Sequence, residues 1–473
     1  MHDWTKQYID GQWVESHEAR TIDVINPTTE QVIARVSAGH ADDVDAAVRA
    51  AARAFPAWSA TTPEERADFL RRLIAAVKER HEVFAQLITA EVGTPIRTAR
   101  VIQAGLGVVD LEGALEALEN FEWREPLRTS VIVREPIGVV GAITPWNYPL
   151  HQITAKIGAA IGAGCTVVLK PSEVAPGCAF ELTSIIHDLG LPAGVFNVVC
   201  GEGQTVGEPL VSHELVDMVT FTGSNKVGKR ISELAAATVK RVALELGGKS
   251  ASLIAPDADL ASAVAQTVRG CYINTGQSCS ALSRMLVQRD QLAEVEQLTV
   301  QAVAGYQPGD PADDQTKLGP IVSAAQQERV LGFIRGAIDE GAQLLTGGLD
   351  RPESAPDTGY FVAPTVFTGV DASMTIANEE VFGPVMVIMP YDTEEEAVEL
   401  ANATKYGLAA AVWAGTPERA EHLALQMRAA QVSVNGGQFN SVAPFGGYKQ
   451  SGLGREGGTF GFEEFLEVKS LQY

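Results

Sequence analysis

The sequence is short of cysteine: five in 473 residues, at positions 165, 178, 200, 271 and 279, an odd count with no Cys-x-x-Cys pair. That pattern argues against a disulfide framework and fits a reducing compartment. Eight histidines are equally scattered, without a His-x-x-x-His pair, so no metal site is expected. Positive charge is scarce as well. The 36 Lys and Arg stand against 59 Asp and Glu, a formal net charge of −23, and that average field repels nucleic acid and anionic membrane surfaces. Long apolar runs are missing: the longest, 157–169, is interrupted by glycine and falls short of the roughly 20 residues a membrane span needs. The opening Met1-His2-Asp3-Trp4-Thr5-Lys6 has neither the basic start nor the apolar run of a signal peptide. A soluble, cytoplasmic protein without nucleic-acid or membrane partners is expected.

What is present is ample apolar content, 46%, enough for about two to four packed domains. From Ala41 to about Glu122 apolar residues recur at helical spacing, as in Phe69, Leu70, Leu73, Ile74 and Val77, and Thr62-Pro63-Glu64-Glu65 reads as a capped helix start. The run Ser130-Val131-Ile132-Val133-Arg134 reads as an isolated strand. Between Ile137 and Gly248 short apolar strands (139–143, 166–169, 196–199, 218–221, 242–246) alternate with helical stretches. This rhythm predicts an α/β domain with a doubly wound parallel sheet, whose strand ends carry Asn147, Lys170, Gly201, Gly223 and Glu245 on one edge. A second alternating region, about 250–445, predicts another α/β domain, with strands at 285–288, 385–389 and 432–435. No repeat, low-complexity tract or long linker separates them, so a cleft between packed domains is the natural site.

Three motifs mislead. Gly223-Ser224-Asn225-Lys226-Val227-Gly228-Lys229 resembles a nucleotide P-loop but has Arg230 where a hydroxyl must reach magnesium, and Gly247-Gly248-Lys249-Ser250 has Ala243 where the first glycine belongs. Gly452-Leu453-Gly454-Arg455-Glu456-Gly457 spells a dinucleotide fingerprint with no apolar strand before it, and is expected to be a loop. A more persuasive signal is Phe221-Thr222-Gly223-Ser224, where a strand runs into a glycine turn and a helix whose first amides suit a pyrophosphate.

Glu245 and Cys279, 34 residues apart and each beside glycine, supply a base and a nucleophile. Alone, such a cysteine is more often a core residue than a reactive one. The motifs around it change that reading. Ile143-Thr144-Pro145-Trp146-Asn147-Tyr148-Pro149, Lys170-Pro171-Ser172-Glu173, Phe221-Thr222-Gly223-Ser224, Leu244-Glu245-Leu246-Gly247-Gly248-Lys249, Gly276-Gln277-Ser278-Cys279, Glu379-Glu380-Val381-Phe382-Gly383-Pro384 and Pro444-Phe445-Gly446-Gly447-Tyr448-Lys449 together resemble the NAD(P)-dependent aldehyde dehydrogenase superfamily, in order along almost the whole chain.

The resemblance implies a cofactor-binding domain (1–122 and 138–247), a catalytic domain (248–448) and a strand-based oligomerisation element (123–137 and 449–473), assembled as homodimers or homotetramers. It implies oxidation of an aldehyde to a carboxylic acid: Cys279 attacks, Asn147 and the Cys279 N–H hold the oxyanion, and Glu245 activates water to hydrolyse a thioester. A free thiol is only about 3% ionised at pH 7, so Cys279 needs local help. For the cofactor it implies Ile143, Thr144, Pro145, Lys170, Ser172, Glu173, Gly203, Gly207, Phe221, Gly223, Ser224, Val227 and Leu246, with Trp146 and Gly203 lining the adenine and phosphate region and Glu380 with Phe382 at the nicotinamide end. Glu173 favours NAD over NADP, because its charge opposes an added 2′-phosphate by about 1–4 kcal/mol at about 4 Å. Two alternatives are a coenzyme-A-acylating aldehyde dehydrogenase, disfavoured by Glu245, and a cofactor-free cysteine esterase, which leaves the cofactor motifs unexplained. Tyr148 and Phe445 point to an apolar-walled mouth, with Gln152 and Ala155 where some family members carry bulkier apolar groups; the substrate itself is left open.

Overall fold

The computed structural model describes residues 2–473. Its central feature is an eight-stranded sheet. Five strands, Arg241–Glu245, Met218–Thr222, Val139–Ile143, Thr166–Lys170 and Phe196–Val198, lie side by side in that order, all parallel. Four of them are buried along their whole length, which is why they read in sequence as continuous apolar runs rather than alternating ones. Of these parallel strands the chain lays the middle one first, Val139–Ile143, builds outward through two strands on one side and then crosses to build two on the other. Helices diverge at that reversal, and a crevice opens beyond the carboxyl ends of Val139–Ile143 and Met218–Thr222.

The doubly wound parallel sheet is therefore present, but its edges are antiparallel. On one side the hairpin Lys6–Ile9 and Gln12–Glu15 extends it, turning through Asp10 (φ 54°) and Gly11 (φ 76°), the left-handed pair a two-residue hairpin turn requires. On the other, Gly452–Leu453 pairs with Leu244 and Glu245. The 452–457 segment, expected as a loop, thus contributes a two-residue strand: the backbone beside Glu245 would otherwise be an open edge with unpaired N–H and C=O groups.

Helices Pro63–Glu79 and Ala104–Glu119 cover one face with Pro149–Ala163. The expected start at Thr62 is realised as a capping box: its hydroxyl accepts the Glu65 N–H at 3.2 Å and Glu65 accepts the Thr62 N–H at 2.7 Å. Phe69, Leu70, Leu73, Ile74 and Val77 are all buried, each worth about 1.5–3 kcal/mol for the surface removed from water.

The second sheet has seven strands, parallel except for its edge Gln343–Thr346; Ala251–Ile254, Arg284–Gln288, Val385–Tyr391 and Ala409–Trp413 form its centre. A separate sheet of three antiparallel strands, Arg124–Leu127, Ser130–Pro136 and Leu466–Gln472, stands apart. Another small sheet, His2–Trp4, Thr21–Ile25 and Val32–Ser37, packs near the amino end. Among the described residues no helix is long and apolar enough to cross a membrane.

Candidate active site

Cys279 follows a turn that few sequences tolerate. After helix Leu260–Tyr272 three successive residues, Asn274 (φ 51°), Thr275 (φ 57°) and Gly276 (φ 72°), take left-handed backbone, a conformation that costs a β-branched threonine in particular. The neighbours hold it there. Thr275 Oγ1 accepts the Gly319 N–H at 3.1 Å and donates to the Gly319 carbonyl at 3.2 Å, Thr94 donates to Asn274 Oδ1 at 2.7 Å, and Gln277 Oε1 accepts the Val322 N–H at 2.9 Å. At Gly276 a Cβ would lie 2.1 Å from the Gly383 carbonyl oxygen. Only glycine lets this loop press against the 379–384 segment. Cys279 alone among the five cysteines is partly exposed; the other four are buried.

Glycine serves the same purpose at the end of strand Arg241–Glu245. A Cβ on Gly247 would meet the Glu380 carboxylate at 2.2 Å, and one on Gly248 the Cys279 carbonyl at 2.4 Å. The Gly248 N–H donates to Glu380 Oε1 at 3.1 Å. Phe382, two residues on, has φ 59°, strained for so bulky a side chain. Its carbonyl accepts from Gln326 at 2.9 Å and that of Glu380 from Arg329 at 3.0 Å. Gln326 and Arg329 carry no motif and were not foreseen.

Glu245 is 4% exposed and neither carboxyl oxygen has a hydrogen-bond partner. Burial, reinforced by Glu456 and opposed by Lys156 and Arg455, pushes its pKa well above the carboxylate range. The Cys279 thiol is pushed up as well, by the protein packed round its sulfur and then by Glu245, Glu380 and Glu456, while its own N–H pulls the other way. Both shifts favour the protonated form, and the charge of Glu245 adds to the shift on Cys279. The local help expected for the thiol is outweighed by burial. Lys156 and Glu456, hydrogen-bonded to one another with Lys156 also on Thr222 at 2.6 Å, are a further pair absent from the sequence reading. Asn147 is buried, its Nδ2 donating to the Gln277 carbonyl at 3.2 Å, and Asn274 donates to the Asn147 carbonyl at 2.9 Å.

Two connected cavities gather the remaining residues. The first, about 660 Å³, is lined by Ile143, Thr144, Pro145, Lys170, Ser172, Glu173, Gly203, Gly207, Phe221, Gly223 and Val227, together with Glu202, Lys226 and Arg230. The second, about 200 Å³, takes Trp146, Asn147, Ser224, Leu246, Cys279, Glu380 and Phe382; Pro145, Thr222 and Gly223 border both. Trp146, expected with Gly203 at the adenine and phosphate region, lines the thiol cavity instead. It packs edge-on against Phe382 with ring centres 5.4 Å apart, because the turn after Val139–Ile143 points toward the thiol. Lys170 donates to Glu173 at 2.8 Å. Ser224 caps helix Asn225–Ala235, its hydroxyl accepting the Val227 N–H at 3.4 Å.

The aldehyde dehydrogenase family profile matches residues 13–471. A 3-succinoylsemialdehyde-pyridine dehydrogenase of a Pseudomonas species is 49% identical over 472 residues, covering 100% of this chain and 99% of its own. The crystal structure of a cysteine-to-alanine mutant of aldehyde dehydrogenase C from Pseudomonas syringae, complexed with NAD+ and octanal, superposes with TM-score 0.98 at 48% identity, covering 99% of this chain and 96% of that one. An NAD+ complex of an aldehyde dehydrogenase from Bacillus cereus gives 0.95 at 39% identity, with the same coverage. The chain belongs to the aldehyde dehydrogenase family.

Proposed function

We propose that the chain oxidises an aldehyde to a carboxylic acid with NAD, through a covalent adduct on Cys279. One observation carries this reading: Cys279 lines the same cavity as Asn147, Glu380 and Phe382, at the end of a groove that begins at the switch point of a parallel sheet. The groove suits a dinucleotide. Glu173 offers ribose hydroxyls a carboxylate, Lys226 and Arg230 supply positive charge, and the first turn of helix Asn225–Ala235 borders the space. When bound, the nicotinamide accepts the hydride lost from the substrate carbon, which leaves a thioester on the sulfur.

Sγ of Cys279 attacks the carbonyl carbon, and the thiol proton passes to solvent water as the bond forms. The new oxyanion accepts from Asn147 Nδ2 and the Cys279 N–H. Glu245, its oxygens free of other partners, takes a proton from water, and the hydroxide so formed attacks the thioester and releases the acid. A residue so placed favours water over coenzyme A as the acyl acceptor. Glu173 favours NAD over NADP by the repulsion worked out above. Among relatives, one is named for a pyridine-bearing semialdehyde and another binds octanal, which supports an aldehyde on an extended tail. The exposed edge of strand Leu466–Gln472 supports a homodimer or homotetramer, and five unpaired thiols suit the cytoplasm.

The test is NADH formation over an aldehyde panel, with NAD and NADP in parallel. Cys279→Ala is expected to abolish turnover, and Glu245→Gln to give one burst of NADH without release of acid. Ester cleavage with no cofactor-linked oxidation of any aldehyde would favour the esterase instead.

A further inference from the structure

On the far side of Tyr148 from the thiol lies a third, smaller chamber, of about 30 Å³, whose wall is polar where an apolar one was expected. Phe439 and Phe445, ring centres 6.2 Å apart, form one side, and Ala155 leaves room on the other. Facing them are Asp110 and His151. Asp110 Oδ2 is 2.7 Å from His151 Nδ1 and accepts from Thr154 at 2.8 Å; the two side chains are only 7% and 18% exposed. A carboxylate so held fixes the ring's orientation and keeps a proton on Nδ1, leaving Nε2 without a protein partner among the described hydrogen bonds. Tyr148 packs edge-on to His151 at 6.2 Å and neighbours Ser278 and Cys279, so the dyad stands one ring away from the nucleophile. Next to it Gln152 is 4% exposed with Oε1 unpartnered.

The geometry points to His151 as a specificity-determining residue that donates from Nε2 to a neutral hydrogen-bond acceptor, a ketone oxygen or a ring nitrogen, on the tail of the aldehyde, with Asp110 as its positioning residue. This rests on the oxidation reading above and narrows its substrate class. A carboxylate tail fits less well, because Asp110 and Glu456 both border the chamber. The groups facing His151 are Asp110, Glu456 and Lys156: burial opposes its charge, Asp110 and Glu456 favour it, Lys156 opposes it, and the balance raises its pKa. The protonated ring donates from both nitrogens, whereas the neutral ring keeps its proton toward Asp110 and Nε2 becomes an acceptor.

The experiment compares octanal with octanals bearing one ketone at successive carbons from C4 to C7. Readouts are kcat/KM with NAD and, independently, calorimetric affinity for Cys279→Ala protein. The expected result is that one or two ketone positions are favoured over octanal by about tenfold or more, the scale of a hydrogen bond to a charged donor. That ratio collapses in His151→Leu, survives in part in His151→Gln, which keeps an N–H donor, and falls in the parent protein as pH rises through the His151 titration. In Asp110→Asn the fall moves to lower pH. Thermal unfolding reports that each variant is folded. If no ketone position is favoured, or if the favoured ratio persists in His151→Leu, the inference is overturned. Absence of NADH with every aldehyde would defeat the oxidation reading alone, and the affinity ratios would still decide the role of His151.

Discussion

At the scale of single residues, the proton inventory governs the chemistry. Glu245 and Cys279 act in their deprotonated forms, yet burial raises the pKa of both. Below a raised pKa the active fraction grows about tenfold per pH unit, so kcat/KM for the aldehyde at saturating NAD is expected to climb with pH until the raised pKa values are passed. A profile that is flat from acid pH upward would contradict the upward shifts. Asn147→Ala removes one proposed oxyanion donor and is expected to lower kcat by about 10²–10³, near 3 kcal/mol of barrier, with little change in NAD affinity; steady-state kinetics with cofactor titration checks both. The sequence made Asn147, Glu245 and Cys279 legible because each sits inside a motif. It could not reveal Lys156 with Glu456, 300 residues apart, nor Asp110 with His151, since a charge on an amphipathic helix reads the same whether it faces solvent or a chamber.

At the scale of elements, the decisive parts are turns. The left-handed run Asn274-Thr275-Gly276 and the strained Phe382 form two facing loops that touch through glycine. Gly276→Ala would place a methyl against the Gly383 carbonyl at a φ of 72°. Destabilisation of about 1–3 kcal/mol and a loss of at least about tenfold in kcat/KM are expected, read by thermal unfolding and NADH assay; a variant with parental activity would mean the loops are free to part. These turns are hard to read from sequence, because nothing in Ile273-Asn274-Thr275 announces left-handed backbone. Buried parallel strands are easier, being five apolar runs between helices. The antiparallel edges were missed because Lys6–Ile9 and Gly452–Leu453 are four and two residues long, too short for a period to show, although Asp10-Gly11 is itself a hairpin turn signal.

At the scale of the whole molecule, two mostly parallel sheets meet at the thiol and a third small sheet projects from them. Strand Leu466–Gln472 leaves Val468 66% exposed, and an exposed apolar strand edge favours pairing with a second copy. Val468→Asp is expected to shift the species seen in sedimentation toward the monomer; a parental mass in both proteins would move the assembly surface elsewhere.

One stretch of chain ties these scales together. Ser451 accepts the Leu246 N–H through its carbonyl at 2.8 Å and donates its hydroxyl to the Gly247 carbonyl at 2.7 Å, Glu456 meets Lys156, and Leu466–Gln472 then completes the projecting sheet against Ser130–Pro136. These contacts come after every other part of the site in chain order. During synthesis, therefore, the stretches carrying Cys279 and Glu245 are made before the segment that packs against them, and their final packing waits on residues 451–456.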